Sequence, residues 1–460
     1  MRRLSLVALA LLLAGCQSTE VQQAKPSLQI PDQWREAVGP SSSVEGFWWR
    51  NFHDVALNRY VDQALRYNSD VLTARERVNE YQARLNAADS ALWPTLSAEL
   101  GGTRSRSQSA ATGLPTHSTL WRGSLTASYD VDLWGANRRT SDAAQASLEA
   151  QRAAAAAADL TVASSVASGY LTLLALDEQL RVTEETLKAW DEAFRLAKRQ
   201  YETGYTSRLE LMQTDSERRA TRAQIPPLQH QIASQENALS VLLGVNPGAV
   251  ARGGDINTLT PLALPGQLPS TLLNRRPDIV QAERTLVAAD ASLAAQRARL
   301  LPSINLTASG SLQDDTLAGL LDNPLRLWSI GGSILAPLLN RETLNAGVDV
   351  AMSQRNQALY SYESTVRNAF REVNDSLDAI RRYREQMTEL QGQVDVAQET
   401  LRIAQNRYSN GYSSFLDVLD AQRTLFSAEL NLAQVKNNLL QAQIDLYRSL
   451  GGGWGGLATS

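Results

Sequence analysis

Apolar residues recur in alternating steps of four and three positions along two long stretches of the chain. In the first stretch these positions are Leu176, Leu180, Thr183, Leu187, Trp190, Phe194, Ala197 and Tyr201. In the second they are Tyr383, Met387, Leu390, Val394, Ala397, Leu401, Ala404 and Tyr408. Such a repeat keeps one face of a helix against a partner helix in a left-handed coiled coil. The sequence therefore predicts long helices that pack in pairs.

The two stretches are copies of one another, displaced by 207 positions. The conserved spacing is clearest where Tyr201, Gly204, Tyr205, Ser207 and Leu209 return as Tyr408, Gly411, Tyr412, Ser414 and Leu416. Gly204 and Gly411 interrupt the helical pattern and predict a hairpin turn in each copy. A period of this size is far longer than the ~20–50 residues of a solenoid unit. We therefore expect two structural repeats, residues 47–260 and 261–460.

The helix upstream of the first turn is predicted to run from Ala136 to about Glu202, which is on the order of 100 Å. Its uncharged stretch Leu160 to Leu176 is too short and too polar on one face for a membrane span, so a packed helix is expected. After the turn in the second copy, the spacing of apolar residues by four and three positions resumes and forms a second seam, that is, a helix face that packs against a partner helix. The first copy carries Pro226 and Pro227 within the corresponding seam, and we expect a break or kink near Ile225.

Each half also contains two segments in which apolar and polar residues alternate, as they do in a half-buried strand. The apolar positions of the first half are Leu96, Ala98 and Leu100, then Leu125, Ala127, Tyr129, Val131 and Leu133. Those of the second half are Ile304, Leu306, Ala308 and Leu312, then Trp328, Ile330, Ile334 and Leu338. The connections around Arg104 to Thr119 and Gln313 to Arg326 are expected to be solvent loops. The chain thus has four predicted strands.

Strands of about ten residues with one apolar and one polar face suit a membrane barrel, although a soluble antiparallel sheet has the same pattern. Four strands cannot close, because the smallest membrane barrels have about eight. An open edge in lipid would leave backbone groups without hydrogen-bond partners. Several chains would have to share one barrel, and both a dimer with eight strands and a trimer with twelve remain open.

The N-terminus reads as a signal peptide over residues 1–15, with Arg2 and Arg3 before an apolar run. The sequence Leu13-Ala14-Gly15-Cys16 resembles a bacterial lipoprotein signal, which makes Cys16 the lipidated first residue of the mature chain. Gln17 fits sorting to the outer membrane. Residues 16–46 are rich in Gln, Ser and Pro and are interpreted as a lipid-anchored tether. The alternative for Cys16 is a free or buried thiol.

The composition argues against several classes of function. The chain has 44 Lys and Arg, 48 Asp and Glu and a net charge of −4, which argues against nucleic acid as a partner. It has three His, four Met and one Cys, so neither a metal site nor a cofactor is expected. Gly451, Gly453 and Gly456 spell a nucleotide-binding pattern, but no strand precedes it and no helix follows it. We expect no enzymatic activity.

Several motifs together resemble the TolC-like outer-membrane factors, specifically the lipoprotein branch of the efflux ducts. The central motif is Leu272-Leu273-Asn274-Arg275-Arg276-Pro277-Asp278-Ile279, followed by Ala282-Glu283-Arg284 and Leu301-Pro302-Ser303-Ile304. The C-terminal motif is Leu446-Tyr447-Arg448-Ser449-Leu450-Gly451-Gly452-Gly453-Trp454, and the N-terminal pattern is Trp48, Phe52, Asp54, Leu57, Ala64-Leu65 and Asn68. The resemblance covers nearly the whole mature chain.

The resemblance implies an α+β membrane protein: a homotrimer with a twelve-stranded outer-membrane β-barrel continued by a long α-helical coiled-coil periplasmic tunnel. It implies a passive duct in the outer membrane of a Gram-negative bacterium, in contact with membrane lipid. A periplasmic adaptor protein and an inner-membrane pump are the implied partners. The expected cargo is drugs or other small toxic compounds. The alternatives are a copper or silver cation duct and a non-conducting structural envelope lipoprotein.

The resemblance also places both hairpin turns at the periplasmic tip, where the helices converge as a gate. Tyr408, Asp417 and Asp420 match the gate pattern of the family, and Tyr201 and Glu210 hold equivalent places in the first copy. Rings of Asp417 and Asp420 would attract cations. The alternative is that these carboxylates only start a solvated helix.

One departure concerns the residue that ties the gate shut. Some family members have an arginine soon after the second-copy glycine, whereas this chain has Ser413 there and Arg208 in the first copy. We therefore hypothesise that Arg208 pairs with Asp417 or Tyr408 of a neighbouring hairpin.

Overall fold

The computed structural model describes residues 26–36, 46–108, 113–266, 269–452 and 454. The predicted signal peptide, residues 1–15, and the predicted lipidation site, Cys16, lie outside the described residues. The described part of the predicted tether contacts the long helix Arg341–Ser409 of the second half. Trp34 packs edge-on against Phe370, and the Glu36 carboxylate is 2.9 Å from the Arg381 guanidinium.

Each half of the sequence supplies two strands and a pair of long helices. The helices are α1 (Val55–Tyr67), α2 (Ser69–Ser90), α3 (Ala136–Glu202), α4 (Arg208–Leu242), α5 (Pro277–Ala298), α6 (Leu317–Asp322), α7 (Arg341–Ser409) and α8 (Phe415–Ser449). The strands are β1 (Thr95–Gln108), β2 (Pro115–Asp130), β3 (Ser303–Asp314) and β4 (Leu325–Leu335). Short helical turns cover Trp48–Phe52, Pro269–Thr271 and Leu272–Arg275.

The chain forms two compact units, and each unit takes segments from both sequence repeats. The first contains residues 77–151 and 281–363, and therefore the whole sheet. The second contains residues 28–76, 152–280 and 364–460, and therefore the ends of the long helices that form the two hairpins, α3 with α4 and α7 with α8. The repeat of the sequence and the compact units of the structure are different divisions of the chain.

The four strands form one antiparallel sheet in the order β1-β2-β3-β4. One face carries the alternating apolar residues, which remain exposed: Leu96, Leu100, Leu125, Leu306, Ile330 and Ile334. The other face is polar, and hydroxyls meet across it, as in the 2.9 Å contact between Ser309 and Ser329. Strands β1 and β4 are the two edges of the sheet.

The strands extend beyond the predicted segments at the loop end, so the expected long loops are corrected. Arg104 pairs with Thr119 within the ladder, and Gln108 pairs with Pro115. In the second half, α6 occupies the connection between β3 and β4. Alternation missed these strand ends because both faces are polar there, as the 2.7 Å contact between the Ser105 and Ser118 hydroxyls illustrates.

The predicted seam is confirmed as the contact between α7 and α8. Val394 and Ala397 of α7 pack with Leu425, Ala428 and Leu432 of α8 in one buried cluster. Large and small residues alternate along α8, which lets the two backbones approach closely.

Helix α4 continues through Pro226 and Pro227, so the predicted break near Ile225 is wrong, while the alternative, a kink, stays a prediction. Each proline deprives the carbonyl four residues earlier of its donor. Those carbonyls belong to the exposed residues Arg222 and Ala223, where water can replace the missing hydrogen bond.

Helix α3 contains the one stretch in the described residues that is long and apolar enough to cross a membrane by length and composition. Val166, Ala167, Tyr170 and Leu171 in this stretch are fully buried within the second unit. The apolar run is therefore a packed helix, as the sequence predicts.

A buried arginine fastens the end of α8 in the second unit. The Arg276 side chain is 8% exposed, and its guanidinium lies 2.7 Å from the Asp278 carboxylate and 2.9 Å from that of Glu372. It also donates a 3.0 Å hydrogen bond to the Ser449 carbonyl. Burial alone lowers the pKa of Arg276, but the two carboxylates outweigh burial and raise it. The group therefore stays charged.

Candidate gate at the hairpin tips

Both hairpins turn through a glycine in the left-handed conformation. Gly204 has φ +83° and Gly411 has φ +76°, a region that side chains other than glycine rarely adopt. The backbone N–H of Tyr205 donates to the Gln200 carbonyl at 2.7 Å, and that of Tyr412 donates to the Arg407 carbonyl at 2.8 Å. These bonds satisfy carbonyls at the end of each helix. The predicted hairpin-turn glycines thus hold equivalent places.

The Tyr408 hydroxyl links the two hairpins of the chain. It donates a short hydrogen bond to the Glu210 carboxylate and lies 3.4 Å from the Gln200 side-chain oxygen. Glu210 is held in place by the Thr206 hydroxyl, which donates to it at 2.5 Å. Because Tyr408 ends α7 and Glu210 begins α4, this contact restrains one hairpin tip against the other. We refer to it as the Tyr408–Glu210 lock.

An apolar cluster supports the Tyr408–Glu210 lock. Trp190, Phe415 and Leu419 are buried together, and the Tyr408 ring packs against them. The ring centroids of Tyr408 and Phe415 are 5.6 Å apart at 62°, an edge-to-face arrangement. The Tyr408 hydroxyl is thereby aimed at Glu210 by packing as well as by hydrogen bonding.

Burial, and then the neighbouring Glu210 carboxylate, raises the pKa of the Tyr408 hydroxyl well above its usual value. A raised pKa in the folded state means that the protonated donor is kept at every pH below the ordinary tyrosine value of about 10. Only above that pH does ionisation begin to weaken the Tyr408–Glu210 lock.

A second contact between the hairpins was not expected from the sequence. The Arg423 guanidinium of α8 forms a short ion pair with Glu217 of α4. This pair, and then the Asp420 carboxylate, raises the pKa of Arg423. An i, i+3 spacing from Asp420 to Arg423 in the sequence was the available signal, but the partner Glu217 lies 206 positions away.

Asp417 and Asp420 both line a groove between α7 and α8. Arg407, Arg423 and Glu389 line the same groove, so two cations and a third carboxylate share it with Asp417 and Asp420. The charge of Asp417 and Asp420 is therefore partly balanced by the two arginines of the same chain. The structure brings Asp417 and Asp420 together but gives neither an ion pair among the described residues.

Tyr201 and Arg208 make no counterpart of these contacts with the residues that the structure describes. Tyr201 is 42% exposed, and across the described residues its hydroxyl makes no hydrogen bond. Arg208 is exposed and makes no ion pair in the part of the chain that the structure describes. Tyr408 bonds to Glu210 and not to Arg208. Pairing of Arg208 with a neighbouring chain stays a prediction.

The sheet with its exposed apolar face and the paired helical hairpins define the chain as a subunit of an outer-membrane channel. It belongs to the outer membrane efflux protein family, whose sequence profile matches residues 60–245 and 268–452. The profile thus matches twice, once in each half of the sequence.

Individual relatives align over almost the full chain. The antibiotic efflux pump outer membrane protein ArpC of Pseudomonas putida is 33% identical over 98% of this chain and 95% of its own length. The probable outer membrane lipoprotein SilC of Salmonella typhimurium is 31% identical over 96% and 97%. The cation efflux system protein CusC of Escherichia coli O6:H1 is 32% identical over 97% of each.

The fold agrees with these sequence matches. A crystal structure of CusC superposes with a TM-score of 0.85 and 29% identity, covering 94% of this chain and 99% of that one. The predicted fold class is confirmed: the chain has the fold of the trimeric outer-membrane channels with a β-barrel and an α-helical tunnel. The protein is the outer-membrane channel component of an efflux system and is located in the outer membrane of a Gram-negative bacterium.

Proposed function

We propose that three copies of this chain form a passive, gated duct. The observation that carries the proposal is the sheet, which has an apolar exposed face, a polar face and two unpaired edges in β1 and β4. Edges left open in lipid would cost several kcal/mol for each unsatisfied backbone group. Pairing β4 of one chain with β1 of the next would remove both edges and put the polar faces around water.

Native mass spectrometry and planar bilayers test the duct. The purified protein should run as a trimer and should show small, gated conductance. A monomer that does not conduct would overturn the proposal and leave a structural envelope lipoprotein as the better interpretation.

Lipidation of Cys16 belongs to the same proposal. The relative SilC carries the name of an outer membrane lipoprotein, and the motif ending in Cys16 resembles a lipoprotein signal. The mass spectrum of the trimer also measures this modification, since each mature chain should begin at Cys16 and carry added acyl mass. A mature chain without that mass would contradict the anchor.

An adaptor and an inner-membrane pump are the proposed partners, because nothing in the sequence indicates a nucleotide site that could supply energy. The duct is accordingly proposed to have no catalytic activity.

Drugs and other small toxic compounds are the proposed cargo, as for the relative named for antibiotic efflux. A cation duct is the second candidate, favoured by the name of CusC. No group of three or more His, Cys, Asp or Glu side chains able to hold a metal ion occurs among the described residues. The neighbouring genes discriminate between the two, since a drug-type or a cation-type pump beside this one would name the transported class.

Asp417 and Asp420 are proposed to form carboxylate rings at the gate. The repeat makes Asp417 the counterpart of Glu210, and Tyr201 the counterpart of Tyr408. A contact of Tyr201 with Asp417 of the next chain would repeat the Tyr408–Glu210 lock at each subunit boundary. Three chains would then present six nearly equivalent contacts around one axis.

Asp417→Ala combined with Asp420→Ala should reduce cation selectivity and weaken block by divalent cations. Removing two carboxylates per chain leaves Arg407, Arg423 and Glu389 as the charged residues that line the groove, so the local potential should become less negative. Reversal potentials in a salt gradient measure the change. If selectivity and divalent block both match the wild type, Asp417 and Asp420 only start a solvated helix.

A further inference from the structure

The apolar face of the sheet changes character near the loop end of β1 and β2. Along this face of β1, Leu96, Ala98 and Leu100 are followed by Gly102, Arg104 and Arg106. The register places Gly102 opposite Trp121, Arg104 opposite Thr119 and Arg106 opposite His117. Because side chains alternate strictly between faces, both arginines project from the same face as the leucines. This face is lipid-exposed in the proposed barrel.

Aromatic residues mark where the lipid-exposed band ends. On β2 the same face carries Tyr129 near the helices and Trp121 toward the loop, eight residues apart, or roughly 21 Å along the membrane normal for a tilted strand. Membrane barrels have an apolar band about 25 Å tall between two aromatic girdles. Arg104 and Arg106 lie two and four residues beyond the level of Trp121, or about 5 and 10 Å farther out. They are therefore at headgroup level.

Arg104 and Arg106 have no carboxylate partner. Neither forms an ion pair among the described residues, whereas many helical arginines do, as Arg402 does with Glu399 at 2.6 Å. The acid of β1, Glu99, lies on the opposite face. Asp314 shares the face of Trp121, but its carboxylate accepts hydrogen bonds from the backbone N–H of Thr316 at 2.9 Å and from the Thr316 hydroxyl at 3.0 Å.

We propose that Arg104 and Arg106, with His117 beside them, bind the phosphate groups of lipopolysaccharide in the outer leaflet. Guanidinium groups match phosphate oxygens in bidentate geometry, and two of them stand about 7 Å apart on one strand. The loop end of β1 and β2 is the end opposite to α2 and α3, which precede and follow these strands, so it faces the outside when the long helices are periplasmic. The inference rests on the proposed duct for this orientation.

Native mass spectrometry of the purified trimer with lipid A, which carries two phosphate groups, tests the site. Arg104→Gln combined with Arg106→Gln should raise the dissociation constant at least tenfold, because each arginine contributes a charge-assisted contact. Arg122→Gln is the matched control, since Arg122 lies on the opposite, polar face of β2, and it should bind as the wild type does. Lipid A stripped of both phosphates should bind the wild type as weakly as the double variant binds intact lipid A.

Equal binding of intact and dephosphorylated lipid A to the wild type would overturn the site, whatever the variants do. So would an assembled double variant that binds like the wild type. Arg104→Lys with Arg106→Lys keeps the charge without the planar geometry and should recover part of the affinity. The glutamine double variant should still conduct in planar bilayers. A wild type that conducts normally but does not distinguish the two lipids would contradict only the phosphate site. A wild type that does not conduct would contradict the proposed duct.

Discussion

Tyr408→Phe should shift the channel toward its open state. The substitution keeps the ring that packs on Phe415 and removes only the hydroxyl that binds Glu210. A hydrogen bond to a charged group contributes about 1.5–3 kcal/mol, which corresponds to roughly a tenfold to hundredfold change in the ratio of open to closed forms per subunit. Single-channel recording in planar bilayers measures this as a higher open probability.

Tyr412→Phe is the control for that experiment. Tyr412 is a tyrosine at the same tip, 77% exposed, and its hydroxyl has no partner among the described residues. Tyr412→Phe removes the same hydroxyl group but no contact between the hairpins, so gating should stay as in the wild type. If both variants gate alike, the Tyr408–Glu210 lock does not hold the tips together.

Arg276→Met should produce the largest loss of stability. The variant leaves the carboxylates of Asp278 and Glu372 and the Ser449 carbonyl without their shared donor. Removing one partner of a fully buried ion pair typically costs about 3–5 kcal/mol, and the cost here should be smaller, because the carboxylates left behind are 39% and 30% exposed. The residue also positions the end of α8, where Gly451 at φ +90° leaves no room for a side chain beside the Arg275 carbonyl. Thermal dissociation of the trimer in detergent measures the change.

Arg402→Met provides the comparison. Arg402 also meets a carboxylate through two nitrogens, but its side chain is 63% exposed and its partner Glu399 is three residues away on the same helix. Exposed pairs of this kind contribute little, because water screens them in both states. The dissociation temperature should match the wild type. A similar drop in both variants would mean that burial of Arg276 is not what makes it important.

The long helices and the strands could be predicted because their apolar positions recur with the period of the element. The alternation of Leu96, Ala98 and Leu100 identified β1, and it failed where Arg104 and Arg106 replaced the leucines. Where a strand extends beyond the hydrocarbon layer of the membrane, neither of its faces needs to be apolar, although its backbone hydrogen bonds to the next strand continue. The helix break expected near Pro226 is absent because water at an exposed helix face can satisfy the carbonyls that a proline leaves without a donor.

The gate residues could be named from the sequence but could not be paired. Tyr408 and Glu210 were both candidates, yet their contact spans 198 positions and depends on how the two hairpins lie together. Glu217 carried no signal, because a carboxylate on a helix surface is normally solvated. Residue types and repeats locate a site, whereas its contacts depend on packing between elements far apart in the sequence.

The pairing of β2 with β3 constrains when the sheet can form. Asp130 pairs with Asn305 and Trp121 with Asp314, so this ladder joins segments separated by roughly 180 positions. Contacts so distant close slowly, while the helical hairpins have their partners only a turn away. The central ladder therefore cannot begin before most of the chain has emerged on the far side of the inner membrane. During that interval the apolar residues of β1 and β2 lack their partner strand, which makes this the stage at which the chain is most prone to aggregate.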